Sequence, residues 1–244
     1  MLLAIDVGNS FIKFGIFDRA ELVSRFSIPT VREYTADEIY ELVKNNIQTE
    51  FAAIVISSVV TQLRDVLQQL SEKYFNANAV FINNSFDFDF KIRYNPPENL
   101  GVDRLINAFA AVQKYGKPCI VCSFGTATTI DVVNKNNEFV GGIIAPGMKT
   151  LAEALHLKTS KLPLVEIEKP ENVIGNSTVS SIQSGIFYGY IGLVEGILQR
   201  ICVELEEKPQ VIATGGFSKL IAENCILIET VDENLTLEGL RMIS

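Results

Sequence analysis

The chain has 244 residues, of which 48% are hydrophobic and 20% are charged, and its formal net charge is −8. This composition is that of a globular protein with a sizeable core. The basic residues are scattered, which argues against nucleic-acid binding, because that function normally needs clustered positive charge. No basic segment precedes Asp6, so we expect no signal peptide. We also expect no membrane span, since no apolar stretch approaches the ~20 residues that one needs. We expect a cytoplasmic location.

The first part of the chain opens with three consecutive strands joined by short turns, at 2–5, 11–17 and 22–28. Helices and strands then alternate, with helices at 35–46, 62–74 and 101–115 and strands at 51–57 and 79–82. The segment 83–99 is predicted to be irregular, because Pro96 and Pro97 exclude regular ladder pairing there. A meander of strands at the start differs from the strand–helix opening of a dinucleotide-binding fold.

The same order begins again near residue 119, with strands predicted at 119–122, 129–133 and 138–144. The remaining predicted elements are helices at 146–157, 180–203, 218–224 and 235–242, and strands at 210–213 and 226–228. This repeated order predicts a duplicated α/β protein with halves at 1–115 and 116–244. Such a repeat is typical of the duplicated ribonuclease-H-like, or actin-like ATPase, fold, in which two mixed-sheet halves surround an ATP cleft.

The first turn is Asp6-Val7-Gly8-Asn9-Ser10. A tight turn can present several backbone N–H groups to an anion, and Gly8 lets phosphate oxygens approach closely because it has no Cβ. Asn9 and Ser10 add side-chain donors, Asp6 can hold Mg²⁺ directly or through water, and Lys13 can reach a phosphate. Taken alone, the same residues also fit an ordinary hairpin.

Two later turns have the same character. Gly125 again permits close approach, with the Thr126 and Thr128 hydroxyls as donors, and the paired glycines Gly215 and Gly216 end a strand where an adenosine can lie against the backbone. Each turn alone is a weak signal. Together, their order and strand context match the two phosphate loops and the adenosine loop of actin-like ATPases.

A further candidate site begins the helix predicted at 101–115. Asp103 and Arg104 lie in its first turn, where the helix dipole favours an anion. An aspartate is a natural general base for a hydroxyl nucleophile in phosphoryl transfer, and an arginine can pair with a substrate carboxylate through its planar fork. The alternative is an aspartate that only stabilises the helix beside a surface arginine.

Read together, these segments make the chain resemble the type III pantothenate kinases over nearly its whole length. The motifs that carry the resemblance are Asp6-Val7-Gly8-Asn9-Ser10, Tyr94-Asn95-Pro96-Pro97-Glu98-Asn99-Leu100-Gly101-Val102-Asp103-Arg104, Gly125-Thr126-Ala127-Thr128-Thr129-Ile130-Asp131, Gly141-Gly142-Ile143-Ile144-Ala145-Pro146-Gly147, Lys161-Leu162-Pro163, Gly175-Asn176-Ser177-Thr178 and Thr214-Gly215-Gly216.

The resemblance implies a kinase that uses ATP to phosphorylate pantothenate to 4′-phosphopantothenate, the first step of coenzyme A biosynthesis. It implies that residues 6–13 and Thr126 hold the ATP phosphates and that Asp103 is the base. Tyr94 and the run Gly101, Val102, Asp103 and Arg104 would line the pantothenate pocket. Members of the family are homodimers, and Thr178 would reach the pantothenate bound by the other subunit. They need Mg²⁺ and are activated by K⁺ or NH₄⁺.

One position departs from the family pattern. The family has an aspartate two residues before the glycine of the second phosphate turn, where it helps to bind the monovalent cation, and this chain has Ser123. A neutral hydroxyl cannot supply the attraction of a carboxylate. The enzyme therefore works without potassium, needs much more of it, or is impaired. We expect Asp131 to lie about two residues deeper in the strand, too far to compensate.

Three functions remain open from the sequence. The first is the pantothenate kinase. The second is a non-catalytic, regulatory relative, which Ser123 motivates and which the retention of Asp6, Lys13 and Asp103 argues against. The third is a kinase of another small hydroxyl-bearing metabolite.

Two of the four cysteines, Cys119 and Cys122, form a C-x-x-C pair of the kind seen in redox or zinc sites. They lie inside an apolar run with no second pair of metal ligands at a suitable spacing. We therefore predict that both are reduced core residues, in keeping with a reducing compartment.

Overall fold

The computed structural model describes residues 1–47 and 49–244, and it divides the chain into two compact units. Unit 1 contains Met1–Phe90, Tyr94–Ala110 and Asn234–Ser244, and unit 2 contains Lys91–Arg93 and Ala111–Glu233. Unlike the predicted halves 1–115 and 116–244, these units are not continuous in sequence, because the last helix belongs to unit 1.

Unit 1 is built on a five-stranded mixed sheet with the order β3-β2-β1-β4-β5. Its strands are β1 (Leu2–Val7), β2 (Phe11–Asp18), β3 (Glu21–Pro29), β4 (Ala53–Ser58) and β5 (Ala79–Phe81). Its helices are α1 (Ala36–Val43), α2 (Arg64–Phe75), α7 (Leu235–Ile243) and the first part of α3 (Val102–Tyr115). The pairs β1/β2 and β2/β3 are antiparallel, whereas β4 lies parallel to both β1 and β5.

Strand β1 is apolar from Leu2 to Ile5, as is typical of a strand that helices cover on both faces of its sheet. Leu3 and Ile5 belong to the core cluster that includes Ile39 of α1. The opposite face packs against α7, where a Cβ on Gly15 would lie 3.1 Å from Leu237 Cδ1. The end of β1, where Asp6 lies, is therefore enclosed between two helical layers.

Unit 2 is built on a six-stranded mixed sheet with the order β11-β10-β7-β8-β9-β6. Its strands are β6 (Lys91–Ile92), β7 (Cys119–Phe124), β8 (Ala127–Val133), β9 (Glu138–Pro146), β10 (Gln210–Thr214) and β11 (Thr230–Val231). Its helices are α4 (Met148–Lys158), α5 (Thr178–Leu205) and α6 (Ser218–Ala222), together with the end of α3. The meander β7-β8-β9 is antiparallel, and β7, β10 and β11 run parallel.

Two predicted segments differ in the structure. The strand predicted at 226–228 is wrong, since Ile226 is 92% exposed and the strand that pairs with β10 is instead Thr230–Val231. The segment 83–99 is not wholly irregular, because β6 lies within it and pairs with β9. An ion pair between Arg93 and Glu138 follows that pairing. The other elements form where the sequence predicts them, with ends shifted by a few residues.

Helix α5 also corrects the expectation that no segment has the length and apolarity of a membrane span. Its 28 residues pass that test by length and composition, although only 33% of the apolar window is buried inside the protein. The buried side chains, among them Phe187 and Val194, belong to the core cluster of the unit 2 sheet. A core helix of a globular protein passes the same test, so α5 by itself is weak support for a membrane span.

Candidate active site

The first turn joins β1 to β2 through residues 8–10. The backbone N–H of Gly8 donates to the carbonyl oxygen of Phe11 at 3.0 Å, and Thr30 ties the turn to the end of β3. The Thr30 hydroxyl donates to the Gly8 carbonyl oxygen at 2.8 Å, and the Thr30 N–H donates to the Ser10 carbonyl oxygen at 3.0 Å. A Cβ at Gly8 would meet only Phe11 O, at the ordinary distance of 3.4 Å. The fold thus tolerates a side chain at position 8, and the absence of a Cβ at Gly8 leaves room for a ligand.

A charged row of side chains crosses the sheet just below this turn. Asp6 faces Lys13 on β2 and Ser57 on β4 in the strand register. Ser57 Oγ donates to Asp6 Oδ1 at 2.8 Å, and Lys13 Nζ lies 3.8 Å from Asp6 Oδ2. Asp6 is buried, whereas the Lys13 side chain is 44% exposed. The lysine is therefore free to extend towards an anion while the carboxylate is held in place.

The second turn joins β7 to β8 through Gly125 and Thr126, and it is one residue shorter than the first turn. Gly125 N–H donates to Ala127 O at 3.1 Å, and a Cβ at Gly125 would lie 3.5 Å from the same oxygen. Helix α4 supports the turn, because Thr126 O accepts from Gly147 N–H at 2.9 Å and from the Thr150 hydroxyl at 2.7 Å. Gly147 is required by this packing, since its Cβ would lie 2.1 Å from Gly125 O.

The row below the second turn is neutral. Ser123 faces Thr129 on β8 and Thr214 on β10. Within the described part of the chain, the buried Thr129 Oγ1 has no hydrogen-bond partner. Asp131 lies two residues further along β8, opposite Val121 and 2% exposed, so it is deeper in the sheet than the row.

The third predicted loop lies against the second turn. Gly215 has a positive φ of 92°, and its Cβ would lie 2.5 Å from Phe124 O, so only glycine fits this close approach. Phe217 N–H donates to the same Phe124 oxygen at 3.4 Å. Gly216 is exposed and a Cβ there would meet nothing within 4 Å. The structure therefore brings Gly125, Gly215 and Gly216 together at one end of the unit 2 sheet.

Thr128 does not join this group. It is fully buried, and its hydroxyl pairs with the Tyr190 hydroxyl of α5. Because strand residues alternate between faces, Thr128 points into the core that Phe124 and Ile130 share. The prediction that its hydroxyl contacts ATP is therefore wrong, and its role is to join β8 to α5.

The predicted substrate segment forms a second cluster in unit 1. Gly101 immediately precedes α3, and its carbonyl oxygen accepts from Arg104 N–H at 3.1 Å, while Asp103 lies in the first turn of the helix. A Cβ at Gly101 would lie 2.5 Å from Asp103 Oδ1, so the carboxylate occupies the space that glycine leaves. Val102 and Arg104 are buried, and the Arg104 guanidinium carbon lies 5.5 Å from the centre of the Tyr94 ring.

The sequence reasoning missed one residue of this cluster. Asn84 follows β5, and its side-chain amide donates to three carbonyl oxygens of the segment that leads into α3, those of Pro97, Glu98 and Leu100. An asparagine in a polar, Pro-containing segment gives no sequence signal for such contacts. Only the folded chain brings positions 84 and 97–100 together.

Thr178 is the exposed first residue of α5. The helix begins with a capping box, in which Ser177 accepts from Ser180 N–H at 3.1 Å and Ser180 accepts from Ser177 N–H at 3.0 Å. Gly175 packs on this first turn, where its Cβ would lie 2.4 Å from Ser181 N. These contacts fix the backbone of Thr178 while leaving its side chain at the surface.

The cysteines are core residues, as predicted. Cys119 and Cys122 are reduced and fully buried in β7, and burial raises the pKa of Cys119 to about 12 and that of Cys122 higher still. Among residues 1–47 and 49–244, no group of three or more His, Cys, Asp or Glu side chains is placed to hold a metal ion. The C-x-x-C pair therefore serves packing.

Comparison with known proteins places these features in one family. A family model described as type III pantothenate kinase matches residues 2–200. The type III pantothenate kinase of Citrifermentans bemidjiense is 47% identical over 249 aligned positions, covering 100% of this chain and 98% of that protein. The corresponding kinase of Geotalea daltonii is 46% identical, covering 100% and 97%.

Solved structures of lower identity share the fold. The ethanolamine utilization protein EutJ of Carboxydothermus hydrogenoformans is 15% identical with a TM-score of 0.59, covering 99% of this chain and 89% of that one. The inorganic polyphosphate/ATP-glucomannokinase of Arthrobacter sp. strain KM is 15% identical with a TM-score of 0.52, covering 99% and 96%. The fold is thus the duplicated ribonuclease-H-like fold of actin-like ATPases, with one mixed sheet in each unit, as the sequence predicts.

Proposed function

The chain belongs to the type III pantothenate kinase family and transfers a phosphoryl group from ATP to pantothenate in coenzyme A biosynthesis, and we propose the residues that perform this transfer. The observation that carries the assignment of the base is the position of Asp103, in the first turn of α3 beside Gly101 and the buried Arg104. The relatives' identity over full length favours the kinase over a regulatory relative or a kinase for another metabolite.

The ATP phosphates bind to backbone N–H groups and side-chain donors of the two turns. Asn9 and Ser10 supply the first set and Thr126 supplies the second, while Gly8 and Gly125, whose own N–H groups close the hairpins, leave room for the phosphate oxygens. Both glycines leave open space in a backbone that does not require glycine, which supports close approach by phosphate oxygens. Lys13 adds a mobile positive charge, and Gly215 and Gly216 receive the adenosine.

Asp6 suits Mg²⁺, which binds proteins through one or two carboxylates and otherwise keeps water and phosphate oxygens as ligands. One Asp6 oxygen is occupied by Ser57, and Oδ2 is 3.8 Å from Lys13. When bound with ATP, Mg²⁺ neutralises charge on the β- and γ-phosphates. In this arrangement Ser57 orients the Asp6 carboxylate, and Lys13 lies close enough to contact an ATP phosphate.

Asp103 acts as the general base. The pantothenate hydroxyl oxygen attacks the γ-phosphorus, its proton passes to the Asp103 carboxylate, and the bond from the γ-phosphorus to the bridging oxygen of ADP breaks. The turn N–H groups stabilise the charge on the transferred group. Gly101 matters here because any side chain at that position would displace the Asp103 carboxylate.

The pantothenate pocket is formed by Tyr94, Gly101, Val102, Asp103 and Arg104. Arg104 is 6% exposed and its guanidinium carbon lies 5.5 Å from the centre of the Tyr94 ring, so burial and a cation–π contact restrict its position. A fixed guanidinium binds a carboxylate with defined geometry, and pantothenate carries one.

The working form is a homodimer in which Thr178 completes the site of the partner subunit. Helix α5 carries Gly185, Gly189 and Gly192 on one exposed face, and a Cβ at any of them would meet nothing within 4 Å. Their spacing of four and three residues forms a flat stripe along which a second helix can approach. Thr178 lies at the end of the same helix. Sedimentation analysis of the purified chain measures this assembly.

The monovalent cation fits less well. The row at Ser123 consists of hydroxyl groups, which give neutral oxygen ligands, and the nearest carboxylate along β8, Asp131, is deeper in the sheet. We therefore propose an enzyme whose turnover does not depend on K⁺ or NH₄⁺. A cytoplasmic location completes the proposal, since a metabolic kinase of this kind uses the ATP of the cell interior.

A pair of matched variants tests the assignment of the base. In a coupled assay with MgATP and pantothenate, Asp103→Asn should lower kcat about 100- to 10,000-fold, the range of a lost general base. Asp65→Asn is the control, because Asp65 is an exposed acid in the first turn of α2. Near-normal kcat for Asp103→Asn would remove Asp103 from the chemistry.

A further inference from the structure

Asn84 forms an unusual set of contacts at the base of the substrate segment. Its Nδ2 atom lies 3.3 Å from the carbonyl oxygens of both Pro97 and Glu98, and it donates to Leu100 O at a shorter distance. These three oxygens belong to the short helical turn Pro97–Asn99 and to the residue that precedes Gly101. One amide thus donates to three carbonyl oxygens of the segment that leads into α3, of which Pro97 O also accepts from Leu100 N–H at 3.2 Å.

The position of Asn84 is itself fixed from the sheet. Ile82 N–H donates to Ile56 O at 2.9 Å, which continues the pairing of β5 with β4. The next residue, Asn83, closes an Asx turn, since its Oδ1 accepts from Ser85 N–H at 2.9 Å and its carbonyl oxygen accepts from Phe86 N–H at 3.1 Å. The backbone that carries Asn84 is therefore tied to β4 through the edge strand β5.

The segment that Asn84 holds determines where α3 begins. Leu100 is 2% exposed, and the peptide that follows it places Gly101, whose carbonyl oxygen accepts the first hydrogen bonds of the helix, from Arg104 at 3.1 Å and Leu105 at 3.4 Å. Asp103 lies within this turn. A rotation of the Leu100–Gly101 peptide moves the Asp103 carboxylate with it.

We propose that Asn84 is a positioning residue, which sets the Asp103 carboxylate for proton abstraction by fixing the peptide before α3. The inference rests on the proposed role of Asp103 as the base. Asn84 acts through hydrogen-bond donation, because all three of its partners are acceptors. A side chain of the same size without an N–H donor should therefore fail to replace it.

Steady-state kinetics of the full chain test the proposal. Asn84→Ala should lower kcat for pantothenate phosphorylation about 10- to 100-fold, as a misplacement of about 1 Å can do, while KM for ATP changes less than about twofold. Asn84→Asp keeps the volume but presents a carboxylate to three carbonyl oxygens. It should be at least as impaired as Asn84→Ala at pH 8, and it should recover activity relative to Asn84→Ala as the pH falls, because the protonated acid regains one donor.

Asn224→Ala is the matched control. The Asn224 amide also donates to a backbone carbonyl oxygen, that of Leu220 at 2.8 Å, but Asn224 belongs to unit 2 and is not one of the proposed site residues. Loss of this one bond should leave the kcat of Asn224→Ala within about twofold of the parent with a small fall in Tm, and the fall in Tm should be larger for Asn84→Ala because that variant loses three bonds.

The outcomes separate the two ideas. Unchanged kcat in Asn84→Ala, or an Asn84→Asp variant as active as the parent at pH 8, overturns the positioning role. A fall in Tm with unchanged kcat below the melting range assigns Asn84 to stability alone and equally overturns it. If Asp103→Asn is fully active, the assignment of the base fails instead, whatever the Asn84 variants show.

Discussion

The two phosphate turns share one backbone plan but carry different chemistry. Each follows the first strand of a three-stranded meander, and each begins with a glycine whose N–H closes the hairpin, Gly8 or Gly125. Two residues before that glycine, a row of three side chains crosses three neighbouring strands. The rows are Ser57, Asp6 and Lys13 in unit 1 and Thr214, Ser123 and Thr129 in unit 2.

This difference shows what the fold determines and what it leaves free. Strand pairing fixes which three positions form the row, because residues opposite each other in register lie on the same face. It does not fix their charge. The unit 1 row pairs a carboxylate with an ammonium group, which suits a metal ion and phosphate, whereas the unit 2 row offers hydroxyl groups alone. If this chemical difference matters for function, removing the charge of the unit 1 row should reduce activity far more than removing a hydroxyl of the unit 2 row.

The largest expected difference comes from removing the acid of the charged row. Asp6→Asn should lower kcat/KM for ATP about 100-fold or more, since it removes the carboxylate proposed for Mg²⁺ and leaves Lys13 without its partner. Ser123→Ala should change the same constant by less than about threefold. The assay is pantothenate phosphorylation at varied MgATP.

Asp18→Asn controls for charge, because Asp18 is exposed at the opposite end of β2 from the turn. If Ser123→Ala lowers kcat/KM for ATP as much as Asp6→Asn does, the two rows contribute equally, which contradicts the proposed difference between them.

The glycines provide a second contrast, between those that a ligand requires and those that packing requires. Gly8→Ala and Gly125→Ala should keep Tm close to that of the parent, because their Cβ atoms would lie 3.4 and 3.5 Å from the nearest atoms, yet should weaken ATP binding about 10-fold. Gly147→Ala should cost about 3 kcal/mol or more, a fall in Tm of roughly 6–12 °C, because its Cβ would meet backbone.

Thermal denaturation and ATP titration by calorimetry measure the two effects separately. Unaltered ATP affinity in both Gly8→Ala and Gly125→Ala would mean that the open space beside these turns is not used by phosphate.

A smaller effect is expected from giving the neutral row a charge. In Ser123→Asp, a partly buried carboxylate would lie between the Thr129 and Thr214 hydroxyls, close to a Thr129 oxygen that has no partner within the described residues. Such a site attracts a cation, so K⁺ should raise the Tm of this variant and its activity a few-fold.

The comparison uses KCl against tetramethylammonium chloride at equal ionic strength, with the parent chain as control. Equal responses of parent and variant to K⁺ would show that position 123 does not contact a cation, and a strong response of the parent would contradict the proposed independence.

The sequence predicted the repeated meander and the three glycine turns because each depends on local pattern, on alternation of apolar residues and on turn residues. It misassigned the strand at 226–228 because an apolar triplet carries no information on which residues find a pairing partner. The wrong prediction that Thr128 contacts ATP has a related cause. The second turn is one residue shorter than the first, and a change of one residue moves a strand side chain from the ligand face of the sheet to the core face. Asn84 was missed because its partners lie 13 to 16 residues away and are backbone atoms.

The least perturbing experiment probes the strand that leads into the second turn. Burial raises the pKa of the Cys119 thiol to about 12, and Cys122 and Cys225 are shifted in the same direction by burial. At pH 8 almost no thiolate is present at Cys119 or Cys122, Cys225 is buried, and alkylating reagents react with the thiolate. Iodoacetamide should therefore label only Cys202, which is partly exposed on α5, and should leave kinase activity unchanged. In denaturant all four cysteines should react, as intact-mass spectrometry will show. Rapid labelling of Cys119 or Cys122 in the native chain would mean that β7 opens readily, and the second turn would then be the less rigid of the two.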